Sequence, residues 1–338
     1  MELTPKQRLL LFAAHLNADS PVSVLVKKTG LPKHTIHYHL KKFRSMGLIR
    51  RLPMVNFQSF GYIYCELFIS ARDDRSRELI ESALTHSEYV TWFGVSRGAY
   101  DFDVLFCLPT LDAVAEFLSS LTAKTGAYIE RKSLLLLTSH SVFSKNHLLG
   151  ISEAKPRRSL ELLQKNSERM TEIDFQIMAR VFDPDCESQC EIARAIGLPR
   201  STVDYRLARL IDRGVYMGSI YSFNAQLIGL QYGRLFLRAH RYSADLTQRL
   251  QSFTLAEERI VNFSSTIGEW DYVLGIEVRN IESLHQLEAK LLEAFPGELS
   301  CSNHLLIARE GYSARCFASQ GLTNEPHREA TQQMVANS

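Results

Sequence analysis

The sequence predicts an α+β chain built as an internal duplication, with two winged helix-turn-helix domains and two βαββαβ domains. Three observations carry that reading. Residues 29–48 read TGLPKHTIHYHLKKFRSMGL and residues 196–215 read IGLPRSTVDYRLARLIDRGV, so Leu31, Pro32, Thr35, Tyr38 and Leu40 recur without a gap as Leu198, Pro199, Thr202, Tyr205 and Leu207. A second echo follows downstream, Gly98-Ala-Tyr-Asp101 against Gly268-Glu-Trp-Asp271. The echoes keep their order at offsets of 167 and 170 residues, and between them the hydrophobic period changes from helical to alternating in both halves.

Each element follows from its local pattern. Helical patterns at residues 5–16 and 22–29 precede the first Gly-Leu-Pro turn, and 172–182 and 188–195 precede the second. Gly30 and Gly197 stand where the chain must leave a helix, since glycine takes the left-handed cap without steric cost. Pro32 and Pro199 suit the start of the next helix, where a missing N–H costs nothing. Ile36, Leu40 and Phe43, like Val203, Leu207 and Leu210, fall at i, i+4, i+7 and lay one apolar stripe along that helix. Arg50-Arg51 then predicts a strand or wing beside it, with Met217-Gly218 at the corresponding place in the second copy.

From Tyr62 the period becomes two. Ile63, Cys65, Leu67 and Ile69 alternate with Tyr64, Glu66, Phe68 and Ser70, which predicts a strand. A helix at 75–85, strands at 89–96 and 101–108, a helix at 111–124 and a strand at 129–138 complete a ferredoxin-like order. The second copy repeats it over 232–308. One sheet face takes the helices; the other is left to meet a second sheet, for which the natural partner is the other copy. Domain boundaries follow at 1–55, 56–145, 170–223 and 224–317, with a linker at 146–169 and a tail at 318–338. The linker is polar, carries a Lys155-Pro-Arg157-Arg158 cluster and has a short helical pattern at 159–168; the tail lacks apolar periodicity and reads as disordered.

Composition narrows the function. With 338 residues, 45% hydrophobic and 22% charged, the chain reads as an ordinary soluble protein of several domains. Its net charge of +2 leaves the location of the positive charge as the informative question. No apolar run is long enough for a bilayer, no signal-peptide layout opens the chain, and the six scattered cysteines suit reduced thiols in a cytoplasmic protein. His34, His37 and His39 lack a completing Cys or carboxylate in their helix, so no metal is expected. No phosphate-cradling loop, nucleophile elbow or other catalytic constellation stands out, so the chain is expected to be no enzyme and to need no cofactor.

The positive charge sits on the helices after the Gly-Leu-Pro turns. In copy one Lys33, His34, Thr35, His37, Tyr38, Lys41, Lys42 and Arg44 present no acidic residue, and Arg50 and Arg51 follow. Copy two offers Arg200, Ser201, Thr202, Tyr205, Arg206 and Arg209, diluted by Asp204 and Asp212. Lysine and arginine neutralise phosphates, and short polar or Tyr side chains near a helix start reach base edges in a major groove. A solvated basic face is the bland alternative; its position after a helix-turn-helix turn, twice, favours double-stranded DNA. The glycine–Asp hairpins read either as plain turns or as the lining of a small-ligand pocket between sheets, where the Asp could hold an ammonium group.

Taken together, these motifs resemble the Lrp/AsnC (feast/famine) family of transcription regulators, over residues 3–142 and 170–315. The resemblance implies a domain that pairs and binds amino acids or related metabolites between subunits, with Gly98, Tyr100, Asp101, Gly268, Trp270 and Asp271 marking the effector loops. Family members usually have one module; here two are joined, so one chain resembles a built-in pseudo-dimer with unequal halves. Sirohaem decarboxylases share this two-part fold, and for such an enzyme His86, Arg97, His140, His240, Arg241 and His304 are the candidates for porphyrin carboxylates. A ligand-sensing module without DNA binding is a third reading. The expectation is a DNA-binding regulator modulated by an amino acid or similar metabolite, with no membrane partner.

Overall fold

The computed structural model describes residues 2–87, 89–151, 157–161, 171–183, 186 and 188–312. Two helical heads begin the two halves: α1 (Pro5–His15), α2 (Val22–Thr29) and α3 (Lys33–Ser45) in the first, α6 (Glu172–Val181), α7 (Gln189–Ile196) and α8 (Arg200–Asp212) in the second. Thr4 with Gln7 and Thr171 with Asp174 form capping boxes that satisfy the first free N–H groups of α1 and α6. Gly30 and Gly197 leave α2 and α7 at φ 68 and φ 70, the left-handed conformation their sequence positions call for. Pro32 and Pro199 occupy the cap position itself, one residue ahead of the first helical turn.

After each head comes one strand, β1 (Ile49–Val55) and β7 (Tyr216–Phe223). These pair with each other, antiparallel, from Ile49↔Phe223 to Val55↔Tyr216. The ribbon so formed interlocks the halves. Tyr221 and Phe223 of β7 complete the core of the first head around Leu10, Ile36 and Phe43, while Met54 and Val55 of β1 join the core of the second around Ile177 and Val203.

The remaining strands are β2 (Ile63–Ala71), β3 (Val90–Gly98), β4 (Phe102–Leu108) and β5 (Ile129–Phe143) in copy one, and β8 (Gln231–Ala239), β9 (Ile260–Ile267), β10 (Tyr272–Val278) and β11 (Leu299–Tyr312) in copy two. Helices α4 (Asp74–Thr85) and α5 (Leu111–Thr125), then α9 (Ala244–Ala256) and α10 (Ile281–Ala294), cover their outer faces. The order β2-β4-β3-β11-β8-β10-β9-β5, with β5 returning to β2, closes a ring of eight strands. Closure rests on the two long strands. β5 pairs with β2 up to Leu136 and with β9 from Leu136; β11 pairs with β8 over its first part and with β3 from Leu305. Closing the sheet removes the exposed edges that each half alone would carry.

One segment differs from its sequence pattern. Arg157–Glu161 is a strand, β6, running antiparallel to β5 from Phe143 back to Ser139, where the sequence suggests a helix from 159. The open backbone of β5 offers hydrogen bonds that a short isolated helix cannot match. The rest of the expected linker helix and the expected disordered tail at 318–338 lie outside the described residues. Among the described residues no helix is long and apolar enough to cross a membrane.

Candidate functional site

The two helices after the glycine turns have the same buried side and different free sides. Ile36, Leu40 and Phe43 of α3 are 0%, 6% and 1% exposed, and Val203, Leu207 and Leu210 of α8 are buried in the same pattern. Lys33, His34, His37, Tyr38, Lys41 and Lys42 project into solvent from α3, with Thr35 half-buried at its first turn. Among the described residues Lys33, Lys41 and Lys42 have no ion-pair partner.

On α8 the charges are tied down. Arg206 donates to Thr171 Oγ1 at 2.8 Å and lies 3.1 Å from Asp174, so it locks the α6 capping box. Arg200 pairs with Asp204 at 3.3 Å, and Arg209 lies over the Tyr205 ring at 5.9 Å. Thr171 and Arg206 hold the Asp174 carboxyl below its usual range, against the effect of burial. Ser201 is exposed and Thr202 half-buried at the helix start, and Tyr205 is exposed like Tyr38.

Two basic residues of copy one turn inward instead. Arg44 donates to the Tyr221 hydroxyl at 2.8 Å, and Arg51 bridges Asp19 at 2.8 Å and the Val181 carbonyl at 3.1 Å. Arg50, beside Arg51 on β1, is exposed. Sequence alone does not place these partners, because Tyr221 and Val181 come from the other half of the chain.

The glycine–Asp hairpins are built identically. Asp101 accepts from the Ala71 amide at 2.8 Å and Asp271 from the Ala239 amide at 2.7 Å; Asp101 also pairs with Arg77 at 2.8 Å. Gly98 and Gly268 sit at φ 126 and φ 152, and each lies against the long strand of the opposite half. Tyr100 and Trp270 are 2% and 0% exposed and pack at 5.9 Å with Phe68 and Phe236 inside the barrel. Arg131, Arg238 and Glu269 form the accessible rim of these hairpins, with Arg131 over the Tyr100 ring and Arg238 paired to Glu269 at 3.0 Å.

Sequence reasoning missed a third place. Between the ribbon and the near end of the barrel lies a cavity of about 450 Å³. Its lining includes Glu66 and Arg234 from β2 and β8, which are paired, and Lys145 and Glu277, also paired. His15 and His140 line it too; burial pulls their imidazoles down to about 3 and about 4, with Lys145 adding to the effect on His15. Burial opposes the ionisation of Glu277, yet Lys145 and His147 hold its carboxyl far below the usual range. Asp103, fully buried 3.1 Å from Arg234, is pushed up by burial and by Glu310. The available signal was Glu66 itself, a charge on the strand face expected to meet another sheet. Of the histidines and arginines considered for porphyrin carboxylates, His140 alone lines this cavity.

Known proteins resemble the chain in two ways. An uncharacterised HTH-type transcriptional regulator of Pyrococcus abyssi is 26% identical over 138 residues, 40% of this chain and 87% of that protein. The DNA-binding transcriptional activator DecR of Escherichia coli is 23% identical over 130 residues, 38% of this chain and 85% of DecR. The chain resembles helix-turn-helix transcription regulators. Each relative spans the length of one module, which agrees with the Lrp/AsnC resemblance of the motifs and with a tandem build. The siroheme decarboxylase NirDL, solved with an iron-uroporphyrin III analogue, covers 98% of this chain and 99% of its own, with a TM-score of 0.57 and 12% identity. That likeness concerns the fold: a mixed α+β chain of two paired halves. No family model matches the chain.

Proposed function

We propose that this chain is a sequence-specific DNA-binding transcription regulator whose two unlike winged helix-turn-helix heads are supplied by one polypeptide. The observation that carries the reading is the free basic face of α3, set behind a glycine-capped turn, with Lys33, Lys41 and Lys42 unpaired. A structural role would pair or bury such side chains, as happens to Arg206 in the second head. Phosphate contact from Lys33, Lys41, Lys42 and Arg50 supplies affinity, while Thr35, His37 and Tyr38 stand where a groove-bound helix meets bases. The α8 residues Arg200, Ser201, Thr202, Tyr205 and Arg209 grip more weakly. An amino acid or related metabolite modulates binding, with the exposed rim of the Gly98–Asp101 and Gly268–Asp271 hairpins as its docking place.

A second reading, a decarboxylase of the NirDL kind, is favoured by the whole-chain fold likeness and by the charged cavity. The first reading is preferred because the exposed basic face of α3 has no role in a decarboxylase, whereas DNA binding uses it. Purified chain should bind fragments of its own upstream region over random DNA, with a steep fall in affinity as salt rises. Absence of specific binding, together with a tetrapyrrole absorption spectrum in the same preparation, would transfer the assignment to the enzyme.

A further inference from the structure

The hairpins match in backbone, but the carboxylates they carry are not in the same state. Asp101 and Asp271 each accept a strand-end amide on Oδ2, from Ala71 and from Ala239. In copy one the other oxygen, Oδ1, holds the Arg77 guanidinium at 2.8 Å, and Arg77 also donates to the Ser96 carbonyl at 2.9 Å. In copy two the residue at that place is a threonine: Arg77 and Thr247 each stand four residues after a helix cap, Asp73 and Ser243. Thr247 turns its hydroxyl to that of Tyr272, 2.7 Å away. Asp271 has no ion-pair partner among the described residues.

A second difference lies beside the first. The amides of Arg72 and His240 make the same contact, with the Tyr128 and Glu298 carbonyls, yet the cap follows one residue later in copy one and three residues later in copy two. The longer loop brings in Arg241 and Tyr242, and the Tyr242 ring, 57% exposed, stacks at 5.9 Å on Tyr272. Burial pushes the Tyr272 hydroxyl up; Thr247 opposes the rise, and Tyr242 and Asp271 add to it because both lie close by. A carboxylate oxygen and an exposed aromatic face therefore stand together where copy one has its own guanidinium. Those are the two kinds of group that hold a guanidinium ion.

We propose that the second hairpin binds one guanidinium-bearing metabolite per chain, on Asp271 Oδ1 and against Tyr242, and that the first hairpin does not, because Arg77 already holds its carboxylate. The inference rests on the reading of the hairpins as effector sites, narrows it to one of the two, and names the class of ligand. Copy one carries in Arg77 a built-in substitute for the ligand of copy two.

The purified full-length chain would be titrated calorimetrically with arginine and, separately, with citrulline, whose urea group has the same shape without the charge. The expected result is one arginine bound per chain and no heat from citrulline. Asp271→Asn should weaken arginine binding at least tenfold while keeping the Ala239 contact, since an amide oxygen also accepts. Thr247→Arg, which copies Arg77 into the second half, should abolish binding, and Arg77→Ala should raise the count to two. Circular dichroism of each variant guards against simple unfolding. No arginine heat in the parent chain, two sites in the parent chain, equal binding of citrulline, or a folded Thr247→Arg variant that binds as before would overturn the inference. Binding to upstream DNA, followed in parallel, keeps the two readings apart. Arginine binding without DNA binding removes the regulator and leaves the site; DNA binding without arginine binding removes the site alone.

Discussion

The two halves share one backbone plan and differ in where they spend their charge. In the first head Lys33, Lys41 and Lys42 of α3 face outward without an ion-pair partner among the described residues; in the second, Arg206 is consumed by Asp174 and Arg200 by Asp204. Inside the barrel the contrast turns from free versus paired to complementary, with Glu66 of one half meeting Arg234 of the other. A duplicated module held together in one chain is released from the demand that both faces of its dyad be alike. The copies have diverged where likeness is costly and stayed alike where the backbone needs it, at Gly98 and Gly268.

The largest effect should come from the interior. Glu66→Arg alone leaves two buried cations facing each other and should cost about 3–5 kcal/mol, read as a fall in the denaturation midpoint. Combining it with Arg234→Glu should restore most of that loss, since the pair is exchanged rather than broken. A double variant as unstable as the single one would mean that surrounding groups such as Asp103, and not the pairing, set the arrangement.

Next comes the exterior contrast. Lys41→Ala with Lys42→Ala should weaken DNA binding and lower the slope of log affinity against log salt by about 2. Arg206→Ala with Arg209→Ala should change affinity far less, and should instead destabilise the second head by about 1 kcal/mol through the lost Asp174 contact. Equal loss of DNA binding from both pairs would break the asymmetry.

A smaller difference should appear with pH. His15 and His140 belong to the first copy, and the sites matching them in the second are Phe182 and Glu310. Both imidazoles titrate in the unfolded chain near 6.5 but in the fold only at about 3 and about 4. The unfolded state therefore takes up protons first, so stability is full above pH 6.5 and falls as pH drops through that window. Denaturation midpoints at pH 7 and pH 5 should show the fall, and His140→Gln should flatten it.

The smallest difference should be at the hairpins. A Cβ at Gly98 would lie 2.6 Å from the His304 carbonyl oxygen, and one at Gly268 would lie 2.9 Å from that of Leu134. Gly98→Ala and Gly268→Ala should each cost about 1–3 kcal/mol, with nearly equal thermal shifts. A large inequality would show that one hairpin alone carries the strain.

Local features of this molecule were legible in its residues. The glycine-capped turns, the stripes Ile36-Leu40-Phe43 and Val203-Leu207-Leu210, and the alternation from Ile63 to Ser70 each follow from spacing alone. What was not legible depends on partners distant in sequence. Nothing near Arg44 or Arg51 announces Tyr221 or Asp19, so both read as free cations when they are structural. Arg50-Arg51 and Met217-Gly218 mark a wing after each head but do not show that β1 and β7 pair with each other, and β6 takes strand form only because β5 is there to receive it. The cavity exists only where ribbon and barrel meet, and so left a single trace, Glu66.

The closure of the barrel within one chain has a consequence for regulation at low copy number. Two separate modules would have to meet before forming a pair, and their working fraction would fall with dilution. Here β5 and β11 exchange partners inside a single molecule, so the paired form is complete at any dilution. On the DNA-binding reading, promoter occupancy then rises with the first power of protein concentration, without the steeper loss on dilution that a separate pairing step would add.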